Sequence, residues 1–83
     1  MINVLYFAWV RERIGVAAEE IDPGPATTVA ELIEALTARE NRYAAAFQDI
    51  SAIRVAVDQQ MVELDHPLTG AKEVAFFPPM TGG

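Results

Sequence analysis

The last eight residues, Phe76-Phe77-Pro78-Pro79-Met80-Thr81-Gly82-Gly83, hold the chain's most specific chemistry. Gly83 offers a carboxylate with no side chain beside it. A free carboxylate is a poor electrophile, because attack on it would have to expel an oxide. Adenylation by ATP would turn it into a mixed anhydride, from which a sulfur nucleophile could displace AMP and leave a glycine thiocarboxylate. Pro78 and Pro79 fix φ and favour polyproline II, so they make a semi-rigid spacer. Met80 and Thr81 would span the distance to Gly82 and Gly83, whose bare main chain could enter a narrow channel of another protein. A frayed end would also show two glycines.

Little else in the chain is equipped for catalysis. There is no cysteine, hence no disulfide, thiolate nucleophile or zinc-thiolate site, and any sulfur must come from outside. That composition fits a reducing, cytoplasmic setting. Neither a Gly-rich phosphate loop nor metal-ligand spacing occurs, so no metal is expected. The single histidine, His66, precedes Pro67 and reads as a turn or strand-end residue, with Asp65 beside it as turn chemistry. Glu31 and Glu34 could be paired carboxylates, but their place early on a helix reads better as a solvated face.

The bulk properties narrow the function classes. With 83 residues the chain is one domain, too small for both a core and a roomy substrate cleft, so independent catalysis is not expected. Hydrophobic residues, 52% of the total, suffice for a core without staples. A net charge of -6 argues against a nucleic-acid partner, which would call for excess Lys and Arg, and for a partner with a basic surface. The opening MINVLYFAWV is too short to span a membrane and has no basic leader. Lys72 is the only lysine. That would limit self-acylation at an activated terminus, although an Ala- and Arg-rich composition accounts for it more simply.

The elements that would position the tail follow from periodicity. Met1 to Val10 is almost continuously apolar and reads as a central strand; after a turn at Gly15, VAAEEID reads as its hairpin partner. From Thr28 to Glu40, Val29, Leu32, Ile33 and Leu36 make one helical stripe, and Thr28 and Glu31 have capping-box spacing. RYAAAFQD suggests a short second helix packing Tyr43 and Phe47. IRVAV, QMVEL and EVAFF read as strands. The expected fold is α+β, a mixed or antiparallel sheet with one main helix across one face.

Alternation along the strands assigns the faces. Asn3, Glu63 and Glu73 mark an outer face shared with Leu5, Phe7, Trp9, Met61, Ala75 and Phe77. Val4, Tyr6, Ala8, Val62, Leu64, Val74 and Phe76 then face the helix. If the helix covers one face only, Phe7, Met61 and Phe77 are left for a partner, unless the short helix or a loop folds over them or a bulge flips a strand.

VLYFAWVRERIG, the intervening helix and DHPLTGAKEVAFFPPMTGG together resemble the small subunit of molybdopterin synthase over the whole chain. VAFFPP followed by a terminal GG is narrower than the di-glycine of ubiquitin-like carriers at large; Lys72 stands where that family often has an acidic residue. The resemblance implies a β-grasp, ubiquitin-like domain at 1–77 and a flexible tail at 78–83. It implies that an E1-like adenylyltransferase, using ATP and magnesium, adenylates Gly83, that a sulfurtransferase system makes the thiocarboxylate, and that nothing is bound permanently. The tail would then enter the large synthase subunit, where cyclic pyranopterin monophosphate receives sulfur for the molybdopterin dithiolene, in a heterotetramer of two small and two large subunits. Positions matching Phe7, Met61 and Phe77 contact the partners in that family, with Met61 in place of an aliphatic residue. Three other readings stay open: a carrier for thiamine synthesis or tRNA thiolation, a ubiquitin-like modifier joined to target lysines through Gly83, and a binding module with an idle tail.

Overall fold

The computed structural model describes residues 1–79. Its elements run β1 (Ile2–Tyr6), α1 (Ala8–Ile14), β2 (Ala18–Ile21), α2 (Val29–Arg39), α3 (Asn41–Ala46), a short 3-10 helix (Ile50–Ala52), β3 (Arg54–Val57), β4 (Gln60–Val62) and β5 (Glu73–Phe77). The strands form one mixed sheet in the order β2-β1-β5-β3-β4, with β1 and β5 parallel and the other pairs antiparallel. With α2 buried against one face, this is the β-grasp arrangement that the sequence led us to expect.

The inner face follows the alternation. Val4, Tyr6, Val55, Val57, Val74 and Phe76 join Val29, Leu32, Ile33 and Leu36 of α2 in a single core. Each such side chain contributes about 1.5–3 kcal/mol when fully buried. Thr28 caps α2, its hydroxyl accepting the Glu31 N–H at 3.2 Å. Glu31 reaches one residue further back than a capping box requires: its carboxylate accepts from the backbone N–H and the hydroxyl of Thr27, both at 2.7 Å. The next free donors of the helix, the N–H groups of Val29 and Ala30, are taken by the carbonyls of His66 and Leu64. Thus His66 lies in a loop that clasps α2, and it serves there through its main chain. The short helix α3 forms as expected, with Tyr43 and Phe47 buried.

One element differs from expectation. The apolar opening is not a strand to Val10, and Gly15 is not a hairpin turn: β1 stops at Tyr6, and α1 intervenes before β2. An unbroken apolar run carries no period, so it does not distinguish strand from helix. Burial of Val10 and Ile14, spaced i, i+4, is what selects the helix here, and α1 packs on α3. Gly15, at φ 98°, is its left-handed C-cap, donating its N–H to the Arg11 carbonyl at 2.8 Å. Ala8 and Trp9 therefore leave the strand alternation. Ala8 is exposed, and Trp9 packs partly against the core with the Arg13 guanidinium 5.0 Å from its ring centre.

Candidate functional site: the outer sheet face and the exit of the last strand

β5 is central, bonded to β1 on one side and to β3 on the other. It ends where the chemistry of proline requires, since Pro78 has no N–H to continue a ladder. Phe76 anchors the end: it is fully buried, stacks on Tyr6 at 6.2 Å between ring centres and meets Phe47 edge-on at 5.0 Å. Phe77 turns the other way and is half-buried, as are Pro78 and Pro79. Met80, Thr81, Gly82 and Gly83, expected to carry and deliver the reactive terminus, lie outside the described residues.

The outer face around this exit is apolar. Register places Ala18 opposite Leu5, Leu5 opposite Ala75, Ala75 opposite Ala56, and Ala56 opposite Met61, so one apolar row crosses all five strands. At its end Met61 is 67% exposed. Phe7 stays extended for one residue past β1 (φ -126°, ψ 153°), and its N–H donates to the Phe76 carbonyl at 3.1 Å. Its side chain is therefore level with the end of β5, and it is 47% exposed. The three residues singled out for partner contact, Phe7, Met61 and Phe77, thus share the uncovered face, with Phe7 and Phe77 at the strand exit and Met61 on the edge strand.

Sequence reasoning missed Arg54. It pairs across the ladder with Phe77, so an exposed guanidinium stands beside the root of the tail. The signal was present in IRVAV, where the alternation that buries Val55 puts Arg54 on the Ala56 face. Equally unforeseen was a polar cluster behind the sheet. Glu19 on β2 accepts from the Tyr6 hydroxyl at 2.8 Å and the Tyr43 hydroxyl at 2.5 Å, and lies 3.8 Å from Arg42. Arg42 also donates to the Ile14 carbonyl at 3.0 Å and pairs with Glu40. This cluster ties β1, β2 and α3 to the end of α1. It is structural: its polar atoms satisfy one another.

The described residues contain no cluster of His, Cys, Asp or Glu able to hold a metal ion and no helix long and apolar enough to cross a membrane. An open groove of about 530 Å³ runs between the 3-10 helix and β3–β4, lined in part by Arg54, Met61 and Glu63. Among the described residues the site presents an apolar face beside the exit of β5.

Comparison with known proteins agrees with this architecture. Residues 4–83 match the ThiS family. The chain is 47% identical to the molybdopterin synthase sulfur carrier subunit of Escherichia coli (strain K12) over 83 residues, all of both chains. It is 39% identical to the sulfur carrier subunit of the same name from Haemophilus influenzae, again over 83 residues and the full length of both chains. Among solved structures, a Pyrococcus furiosus protein provisionally named molybdopterin converting factor, subunit 1, superposes with a TM-score of 0.76 at 28% identity, over 95% of this chain and 97% of that one.

Proposed function

The chain belongs to the ThiS family, and from that premise we propose that it is the sulfur-carrier subunit of a molybdopterin synthase. The observation that carries the reading is the end of β5. A strand locked on both sides hands over to Pro78 and Pro79 beside an apolar face on which Phe7 and Met61 are exposed, and full-length relatives with this sequence plan are named molybdopterin synthase sulfur carrier subunits.

In this reading the chain supplies sulfur and leaves catalysis to its partners. The Gly83 carboxylate attacks the α-phosphorus of ATP in an E1-like adenylyltransferase that uses magnesium, and pyrophosphate leaves. Hydrosulfide supplied by a sulfurtransferase system then attacks the acyl carbon and expels AMP, giving the thiocarboxylate and releasing a proton. Delivered into the large synthase subunit, that sulfur bonds to a side-chain carbon of cyclic pyranopterin monophosphate as the carbon's bond to oxygen breaks and the oxygen takes up a proton, and water then cleaves the resulting thioester, leaving the sulfur on the pterin and returning Gly83 as a carboxylate. Phe7, Met61 and Phe77 form the apolar contact with the partners, while Pro78, Pro79, Met80, Thr81 and Gly82 carry the terminus inward. Binding of the adenylyltransferase and of the large subunit is mutually exclusive, since both use this face. The setting is the cytoplasm and the working assembly a heterotetramer of two small and two large subunits.

The test is mass spectrometry of the carrier after incubation with adenylyltransferase, ATP, magnesium and a sulfur donor. Replacement of one oxygen by sulfur at Gly83 is expected, and a protein lacking Gly83 should show none. An unchanged mass in the full-length chain would sink the reading.

A further inference from the structure

We infer that Arg54 is a docking cation that recognises a carboxylate of the large synthase subunit at the mouth of the channel that takes the tail. The inference rests on the sulfur-carrier reading. Arg54 is the direct cross-strand partner of Phe77, one residue before Pro78, and its side chain is exposed on the face that carries Phe7 and Met61.

Its guanidinium is poised rather than committed. Nη1 donates to the carbonyls of Ser51 at 3.2 Å and Ile53 at 3.3 Å, which holds the arm over the end of the 3-10 helix. Ion pairs among the described residues involve Arg42 alone, with Glu19 and Glu40. Glu63, the acid on the same face just beyond the β3–β4 ladder, lines the same groove without pairing to Arg54. Arginine has five donors in a rigid fork that suits a carboxylate, and two carbonyl contacts from one nitrogen leave most of that fork available. In a chain of net charge -6, a cation beside an apolar patch selects a partner with a local acid next to its own apolar pocket.

Distance decides between a protein carboxylate and the phosphates of the activating reaction. Threaded in extended form, Pro78 to Gly83 spans on the order of 19 Å at roughly 3.1 Å per residue. That is more than twice the screening length of about 8 Å at physiological salt. Arg54 therefore acts at the root of the tail, on docking, and does not reach the reacting acyl group.

The experiment measures binding of the thiocarboxylated carrier to the purified large subunit, at low and physiological salt, with steady-state sulfur transfer alongside. Arg54→Gln keeps hydrogen-bonding capacity without charge, and Arg54→Glu reverses the charge. Thermal unfolding of both variants checks the fold. About a tenfold rise in Kd is expected for Arg54→Gln and a larger one for Arg54→Glu, through slower association and with a flatter salt dependence. The kcat at saturating carrier should not change. A Kd within about twofold of wild type for Arg54→Glu overturns the proposal, as does a fall in kcat at unchanged Kd. An effect seen only with the adenylyltransferase overturns the assignment to the synthase subunit. If wild-type carrier cannot be thiocarboxylated at all, the sulfur-carrier reading fails and takes this one with it.

Discussion

Phe76 and Phe77 are consecutive on β5 and serve opposite faces: Phe76 is sealed between Tyr6 and Phe47, while Phe77 is half-buried on the outer face opposite Arg54. One strand therefore anchors itself with one ring and presents the next. The pair separates stability from recognition within a single dipeptide.

Truncation should expose that division. Phe76→Ala should cost about 3–5 kcal/mol, since it removes a fully buried ring at the centre of the core. Phe77→Ala should cost much less stability but weaken binding to the large subunit by tenfold or more. Denaturant titration and a binding isotherm on both variants check this, and equal stability losses would contradict it.

Met61 and Phe7 offer a cleaner version of the same experiment. Because Met61 is 67% exposed, Met61→Asp should shift stability by no more than about 0.5 kcal/mol. If the outer face is where partners dock, that variant and Phe7→Ala should both lose affinity for the large subunit and the adenylyltransferase alike. Retained binding to both partners would show that this face is idle.

Alkaline pH should destabilise the fold through Tyr6 and Tyr43. Burial first, then the hydrogen bond and negative charge of Glu19, hold both phenols above the ordinary tyrosine range. A phenol with a higher pKa folded than unfolded binds its proton more tightly in the folded state. Its contribution is therefore fully present below about pH 10 and is lost as pH rises beyond that value. Unfolding free energy measured across this range should start to fall near pH 10, and Tyr6→Phe should make the fall shallower. A level profile to about pH 11 would rule out the coupling.

The β3–β4 turn holds removable strain. Asp58 and Gln59 both have positive φ, 48° and 71°, as a two-residue hairpin turn of this hand demands. Asp58 is compensated, because its carboxylate accepts the N–H groups of Lys72 and Glu73, both at 3.0 Å, and so pins the start of β5. Among the described residues no such bond compensates Gln59. Gln59→Gly should therefore raise stability by about 0.5–1 kcal/mol, whereas Asp58→Ala should lower it by about 1–3 kcal/mol. Thermal melts of the two variants should move in opposite directions.

By itself the sequence determined whatever depends on local period and residue type. The stripe Val29, Leu32, Ile33 and Leu36 has one amphipathic solution, and Thr28 caps it. Alternation in EVAFF assigns Phe76 and Phe77 to opposite faces, and Pro78 and Pro79 must end the ladder. The tertiary structure decided what depends on long-range pairing. An apolar run such as MINVLYFAWV has no internal period, so only packing of Val10 and Ile14 against their neighbours could turn its last three residues into the start of α1. Strand order and register likewise brought together residues far apart in the chain. They aligned Ala18, Leu5, Ala75, Ala56 and Met61 in one row, set Arg54 beside Phe77, and joined Tyr6, Glu19 and Tyr43. Such adjacencies arise from backbone hydrogen bonds between distant segments, which no local pattern of side chains encodes.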